Sequence, residues 1–401
     1  MDSIDDPHIA ERAWRPATRL VRGGCRRSPH GETSEALYLN SGFVYDDAEQ
    51  AEARFKGEAP GFIYSRYGNP TVAMFERRMA LLEGAEAAFA TASGMAAVFA
   101  SMMCQLKAGD RVVASRALFG SCSYIITQLL PRYGIATVLV DGPDLEQWRA
   151  ALAPGAACVF FETPANPTLE LIDIAAVSEL SHAAGAKVIV DNVFSTPLLQ
   201  RPLDLGADIV VYSGTKHIDG QGRCLGGVVV SSEEFRGGVL EPFMRHTGPC
   251  LSPFNAWVLL KGLETLDVRV ERQCRTTARL ADLLRDHSAV TRVMYPGHPE
   301  HPQYALGQRQ MSGSSTLVSF DLAGDKPAAF RFMNRLTLVD ISNNLGDSKS
   351  LITHPGTTTH RTLSSEDRDR VGVTDGLVRL SVGLEDADDL ADDLRQALDG
   401  I

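Results

Sequence analysis

The chain has 401 residues, 44 % of them hydrophobic and 22 % charged, with a formal net charge of −11 at pH 7. That length predicts two domains rather than one small core. The acidic excess, with no Lys/Arg-dense stripe to offset it, argues against a nucleic-acid partner. No apolar run approaches the roughly 20 residues that cross a bilayer, so no membrane partner is expected. The opening MDSIDDPHIAERAW is acidic and polar, unlike a signal peptide, and the expected location is the cytoplasm. Seven cysteines with no Cys-x-x-Cys pair read as reduced, packed thiols rather than a zinc site or a disulfide frame.

The first seventy residues lack strong periodicity and are rich in turn residues. They carry a basic patch at 22–27 (RGGCRR) and the segment YSRYGNPT from Tyr64. An arm of this kind has little core of its own and is expected to pack across another surface, such as a second subunit. Asn69-Pro70 opens a helix with Val72, Phe75, Met79 and Leu82 at helical spacing, and Gly84 closes it. Strands are then predicted at 87–91, 111–115, 136–140, 158–162, 187–191, 208–212 and 226–230, with amphipathic segments such as 174–184 between most of them. That alternation predicts an α/β fold with a mainly parallel sheet and right-handed crossovers. The link 213–225 is too short for a crossover helix, so the last strand is expected to run antiparallel. Residues 252–285 read as helical and lead into a smaller α/β domain with strands near 315–321 and 377–382. The expected division is an arm over 1–70, a cofactor-binding domain over 71–265 and a C-terminal domain over 266–401.

The most informative stretch is VVYSGTKHIDGQGRCLGG at 210–227. It places Lys216 just beyond a strand's carboxyl end, with Ser213 and Thr215 as neighbouring hydroxyls. A desolvated lysine there has a lowered pKa and a free amine for bonding to an aldehyde. The strand KVIVD carries Asp191 at its end. A carboxylate and a lysine on nearby strand ends are what pyridoxal phosphate (PLP) requires, one for its pyridine nitrogen and one for its aldehyde. FATASGMAA, at 89–97, turns from strand to helix through Ser93-Gly94, and the amides of Gly94 and Met95 suit a phosphate. Arg66, with Tyr64 beside it, can add a charge-assisted contact. Taken singly, the same features also fit a surface lysine, a plain strand-to-helix turn and a surface arginine.

Together, SGTKHIDG, VIVDN, TASGMAA, YSRYGNPT and ETPANP closely resemble the PLP-dependent enzymes of cysteine and methionine metabolism, the transsulfuration family, over about residues 17–399. The resemblance implies the aspartate-aminotransferase-like fold, PLP fold type I, with a seven-stranded sheet in the large domain. It implies that Lys216 bonds the cofactor aldehyde and moves protons, that Asp191 meets the pyridine nitrogen, and that Asn166 contacts the ring hydroxyl side. Gly94, Met95, Ser213 and Thr215 become phosphate ligands, with Tyr64 and Arg66 reaching in from a neighbouring subunit. Arg379, in VRLSVGLED, becomes the holder of the substrate α-carboxylate, and Asn344 a further substrate contact. A homo-oligomer follows, a tetramer built from dimers.

Two positions depart from the family's usual pattern. Phe119, in ALFGS, stands where a tyrosine usually stacks on the ring, so stacking is kept and the hydroxyl is lost. Lys349 stands where an acidic residue often faces a distal ammonium, and a lysine there suits an anion or simply points to solvent. DGQGRCLGG and NNLGDSKSLITHPGTTTH most resemble the branch that joins O-succinyl-L-homoserine to sulfide, giving homocysteine for methionine biosynthesis. Replacement by cysteine, an acetyl leaving group, elimination without replacement and a non-catalytic regulatory role on the same fold are the alternatives. Arg116, Arg54 and Lys349 are unranked candidates for the distal succinyl carboxylate. His298 and His301 sit in a Pro-rich loop without ligand spacing, so no metal is expected. GQGRCLG opens no helix and fails as a dinucleotide fingerprint.

Overall fold

The computed structural model describes Glu11 and residues 13–401. Of the acidic opening segment, residues 1–10 and 12 lie outside the described residues. Seven strands form the larger sheet: β1 (Ala87–Thr91), β2 (Arg111–Ser115), β3 (Ala136–Val140), β4 (Cys158–Glu162), β5 (Lys187–Asp191), β6 (Ile209–Ser213) and β7 (Gly227–Ser231). Their spatial order is β1-β7-β6-β5-β4-β2-β3. β2 runs parallel to β3 and β4, and β4 parallel to β5. β7 runs antiparallel to β1, as the short link before it requires. Sheets covered on both faces bury successive residues rather than alternate ones. β4 and β7 are buried throughout, which is why they read as unbroken apolar runs.

A second, five-stranded sheet contains β8 (Val290–Met294), β9 (Leu317–Leu322), β10 (Asp340–Ile341), β11 (Leu351–Thr353) and β12 (Leu377–Ser381), in the order β10-β11-β12-β9-β8. The helices Leu266–Arg285, Asp325–Arg335 and Ala387–Leu398 share a core with it through Leu280, Phe320, Phe332 and Leu394, all fully buried. β9 and β12 fall where the sequence places strands. β8 escapes a sequence reading because Thr291 and Arg292 break its apolar run, and β10 and β11 are too short to show a period.

By packing, the chain divides into two compact units. One comprises the chain up to Gln105 with Val211–Thr215 and Arg223–Thr265; the other comprises Leu106–Val210, Lys216–Gly222 and Leu266–Ile401. In the first, the helix Pro70–Glu83 starts where the Asn69 side chain accepts the Thr71 N–H (2.9 Å) and ends at Gly84 in the left-handed region. The region 252–285 is helical as expected, in two helices, Pro253–Leu263 and Leu266–Arg285.

Candidate active site

The second unit gathers most of the chemically suggestive residues. Lys216 follows β6 by three residues, and its ammonium nitrogen lies 2.6 Å from Oδ1 of Asn344. Burial, reinforced by the Arg379 cation, pushes the Lys216 amine down to about 8. Arg379 sits in the middle of β12, 1 % exposed. Its Nη1 donates to Asn166 Oδ1 (2.7 Å), and its Nη2 donates to the carbonyls of Asn343 (3.0 Å) and Asn344 (3.2 Å). All of these partners are neutral, so the guanidinium keeps its full charge. Burial lowers its pKa, against the pull of the Glu162 carboxylate.

Asp191 ends β5 and pairs in register with Glu162, which ends β4. Both are buried. Asp191 Oδ1 accepts the Val193 N–H (3.1 Å). Glu162 accepts the N–H groups of Phe119 (3.0 Å) and Asn166 (2.8 Å). Burial pushes both carboxyls well above the ordinary range, and the Asp191 charge raises Glu162 further. Two buried acids side by side cannot both hold a charge unless a cation joins them. Glu162 was visible in ETPANP without a role; here it ties Phe119 and Asn166 to the end of β4. His360 is a second buried group that sequence reasoning passed over. Burial, and then the Arg379 cation, push it down to about 4.

In the first unit, Ser93 caps the helix Gly94–Met103 by accepting the Ala96 N–H. A Cβ at Gly94 would lie 2.6 Å from the Ser213 Cβ, so only glycine lets the helix start approach that strand end. The Thr215 hydroxyl accepts the Gly226 N–H (3.2 Å). Arg66 donates to the Arg245 carbonyl and lies over the rings of Tyr67 (4.7 Å) and Tyr64 (5.4 Å). Lys349, 57 % exposed, pairs with Asp347 at 2.9 Å and joins none of these clusters. His298 approaches Asp282 (3.2 Å), and no group of three or more ligating side chains suited to a metal occurs among the described residues.

A profile of the Cys/Met metabolism PLP-dependent enzymes matches residues 17–399. The chain belongs to that family. It is 58 % identical to the O-succinylhomoserine sulfhydrylase of Mycobacterium tuberculosis over 99 % of this chain and 98 % of that one. With the enzyme of the same name from Pseudomonas aeruginosa it shares 50 % identity over 95 % of this chain and 94 % of the relative. The crystal structure of cystathionine gamma synthase from Xanthomonas oryzae in complex with cystathionine superposes with a TM-score of 0.92. The identity there is 35 %, covering 96 % of this chain and 98 % of that one. The protein is therefore a PLP-dependent enzyme on the type I fold.

The residues present fit that cofactor. Asp191 and Glu162 form a buried acidic pair in which Glu162 feels the Arg379 cation and Asp191 has no cation of its own, a charge that a protonated pyridine nitrogen would supply. Lys216 is an amine already biased toward its neutral form.

Proposed function

We propose that this enzyme replaces the γ-substituent of O-succinyl-L-homoserine with sulfide, yielding L-homocysteine and succinate. The Cγ–O bond breaks, a Cγ–S bond forms, and the leaving carboxylate takes the electron pair. The observation that carries the chemistry is Lys216, a part-buried amine with a depressed pKa held 2.6 Å from a neutral amide oxygen. The likeness to the two sulfhydrylases supports the choice of substrate.

When bound, PLP supplies an aldehyde for amines and an electron sink for charge developing on carbon. In this reading Lys216 holds that aldehyde until substrate arrives. Its amine would then take the α-proton and a Cβ proton as succinate leaves, and return protons to Cβ and Cα once sulfide has added at Cγ, acting as base and acid in turn. Asp191 keeps the pyridine nitrogen protonated, and Phe119 stacks on the ring. Asn166 faces the ring hydroxyl side, and Asn344 steadies the Lys216 amine. Gly94, Met95, Ser213 and Thr215 hold the phosphate; the Thr215 hydroxyl, which accepts from the Gly226 N–H, would turn its proton from the Gly226 carbonyl (3.4 Å) to the phosphate. Arg379 grips the substrate α-carboxylate in a two-point fork, for which its neutral partners leave the charge available.

The proposal extends to assembly. The arm over 1–70 leaves Leu39 68 %, Val44 92 % and Phe55 67 % exposed, more apolar surface than a free arm keeps in water. In this reading it covers a neighbouring subunit and brings Tyr64 and Arg66 to that subunit's phosphate, in a tetramer of two dimers. Residues 71–265 then serve as the cofactor-binding part and 266–401 as the C-terminal part of each subunit. No described helix is long and apolar enough to cross a membrane.

The test is product identity. PLP-loaded enzyme given O-succinyl-L-homoserine, with sulfide or cysteine in parallel, is expected to form homocysteine from sulfide faster than cystathionine from cysteine. Cystathionine dominating would overturn the choice of sulfide.

A further inference from the structure

The second unit contains a cavity of ≈ 640 Å³ lined by Phe119, Tyr124, Asn343, Thr357, Thr359 and Arg361, among others. That volume lies within the usual range for small-molecule sites. One wall is Phe119, the proposed ring-stacking residue. Another is Asn343, whose carbonyl receives Nη2 of Arg379 and whose neighbour Asn344 receives Lys216. The cavity is therefore bounded by residues adjoining the groups assigned to the amino-acid end of the substrate.

Its walls approach closely: a Cβ at Gly120 would lie 2.7 Å from the Thr359 carbonyl oxygen. No carboxylate lines the cavity, and Arg361 is its one cation. Among the described residues, the Arg361 guanidinium has no ion-pair or hydrogen-bond partner, and the Tyr124 and Thr362 hydroxyls are likewise unengaged. The other candidate cations are all occupied. Arg116 pairs with Asp141 (2.9 Å), and Lys349 pairs with Asp347 (2.9 Å). Arg54 lies over the Tyr45 ring and donates to the Phe62 carbonyl. In a chain of net charge −11, an unpaired arginine beside a hydroxyl-lined cavity is a place for an anion.

The geometry points to Arg361 as the residue that receives the distal carboxylate of a dicarboxylic leaving group, with the Tyr124 and Thr362 hydroxyls completing the subsite. It rests on the substrate reading above and deepens it, since Arg361 then separates succinyl from acetyl esters. The acetyl ester has the same amino-acid end but no second carboxylate, so it cannot use this contact.

The experiment compares wild type, Arg361→Gln and Arg361→Lys as holoenzymes, with O-succinyl- and O-acetyl-L-homoserine and sulfide. Cofactor absorbance and melting temperature serve as controls for folding; Arg361 is exposed and unpaired, so both should hold. Arg361→Gln is expected to lower kcat/KM for the succinyl ester about 10- to 100-fold, mainly through KM, as loss of a charge-assisted contact does. The acetyl ester should change less than about threefold, and Arg361→Lys should recover part of the loss. Succinate inhibition should weaken in parallel. Equal losses on both esters, or no loss on either, would overturn the role of Arg361 while leaving the substrate reading intact. Wild type that ignores the succinyl ester would overturn the substrate reading itself.

Discussion

Two buried clusters of charge in this molecule solve the same problem in opposite ways. In the first unit, Arg78 is fully buried and meets Glu35 at 2.6 Å, while also donating to the carbonyls of Gly23 (2.8 Å) and Leu260 (3.2 Å). Lys261 joins Glu35 and also Glu264. Burial alone would raise Glu35, yet hydrogen bonds from Lys261, Cys25 and Arg78 hold it down at about 2. Every charge there has its opposite within reach. In the second unit, Glu162 and Asp191 are pushed up, while Lys216 and Arg379 are pushed down. Arg379 and Glu162 feel each other, yet neither is offset by a direct ion pair, and the hydrogen bonds of all four go to neutral groups. A satisfied cluster stabilises; an unsatisfied one is held ready for a ligand that brings the missing charge.

The comparison breaks most sharply at Lys216. Lys216→Ala should lower turnover by about 10²–10⁴-fold or more, and the visible absorbance of the lysine-bound cofactor should vanish with it. Melting temperature of the cofactor-free protein should hold or rise, because a partly desolvated amine is removed. Activity retained without the lysine would remove it from the chemistry.

The opposite result belongs to Glu35. Glu35→Gln leaves Arg78 and Lys261 facing a neutral amide, and removing one partner of a buried pair costs about 3–5 kcal/mol. The lower end applies, since Glu264 stays near both cations. Denaturant unfolding should show that loss while kcat of the folded fraction stays at the wild-type value. A matching loss of kcat would mean that this cluster is more than structural.

Protons sharpen the contrast. The folded pKa values of Glu162 and Asp191 are raised, so without cofactor the folded chain holds protons that the unfolded chain has released. Stability is then fully present below the ordinary carboxyl values, 4.5 and 3.8, and is lost as pH rises toward about 8 and about 7. PLP-free enzyme should therefore melt lower at pH 8 than at pH 5, and Glu162→Gln should flatten that slope. Cofactor loading should flatten it too, by giving the pair a cation. A slope of the opposite sign in PLP-free protein would show that the pair is already neutralised by other groups.

Much of this was legible in the sequence, for stated reasons. Strands of this sheet write continuous apolar runs, so β1 to β5 fall where they were expected and β6 and β7 begin one residue later. Lys216, Asp191 and Arg379 stand at strand ends or on a strand, where local pattern fixes their place. Glu162 was harder, because a lone carboxylate after CVFF gives no hint that Asp191 is its register partner. Arg361 left no signal at all. Its meaning depends on which arginines are already paired, and pairing over long sequence separations is not written in local pattern.

Lys349 carries the smallest expected effect. As a sequence position it suggested a cation for an anionic substrate. In the structure its ammonium is 57 % exposed and sits 2.9 Å from Asp347, which also accepts the Lys349 N–H at 3.0 Å. That pair presents no net charge, and an exposed pair contributes about 0–1 kcal/mol. Lys349→Gln should therefore change kcat/KM for O-succinyl-L-homoserine less than about threefold, while Arg361→Gln changes it at least about tenfold. If the two variants exchanged ranks, the free charge that matters would be the one on β11's approach rather than the one lining the cavity. The rule that unpaired charges mark the working parts of this enzyme would then fail where it is most specific.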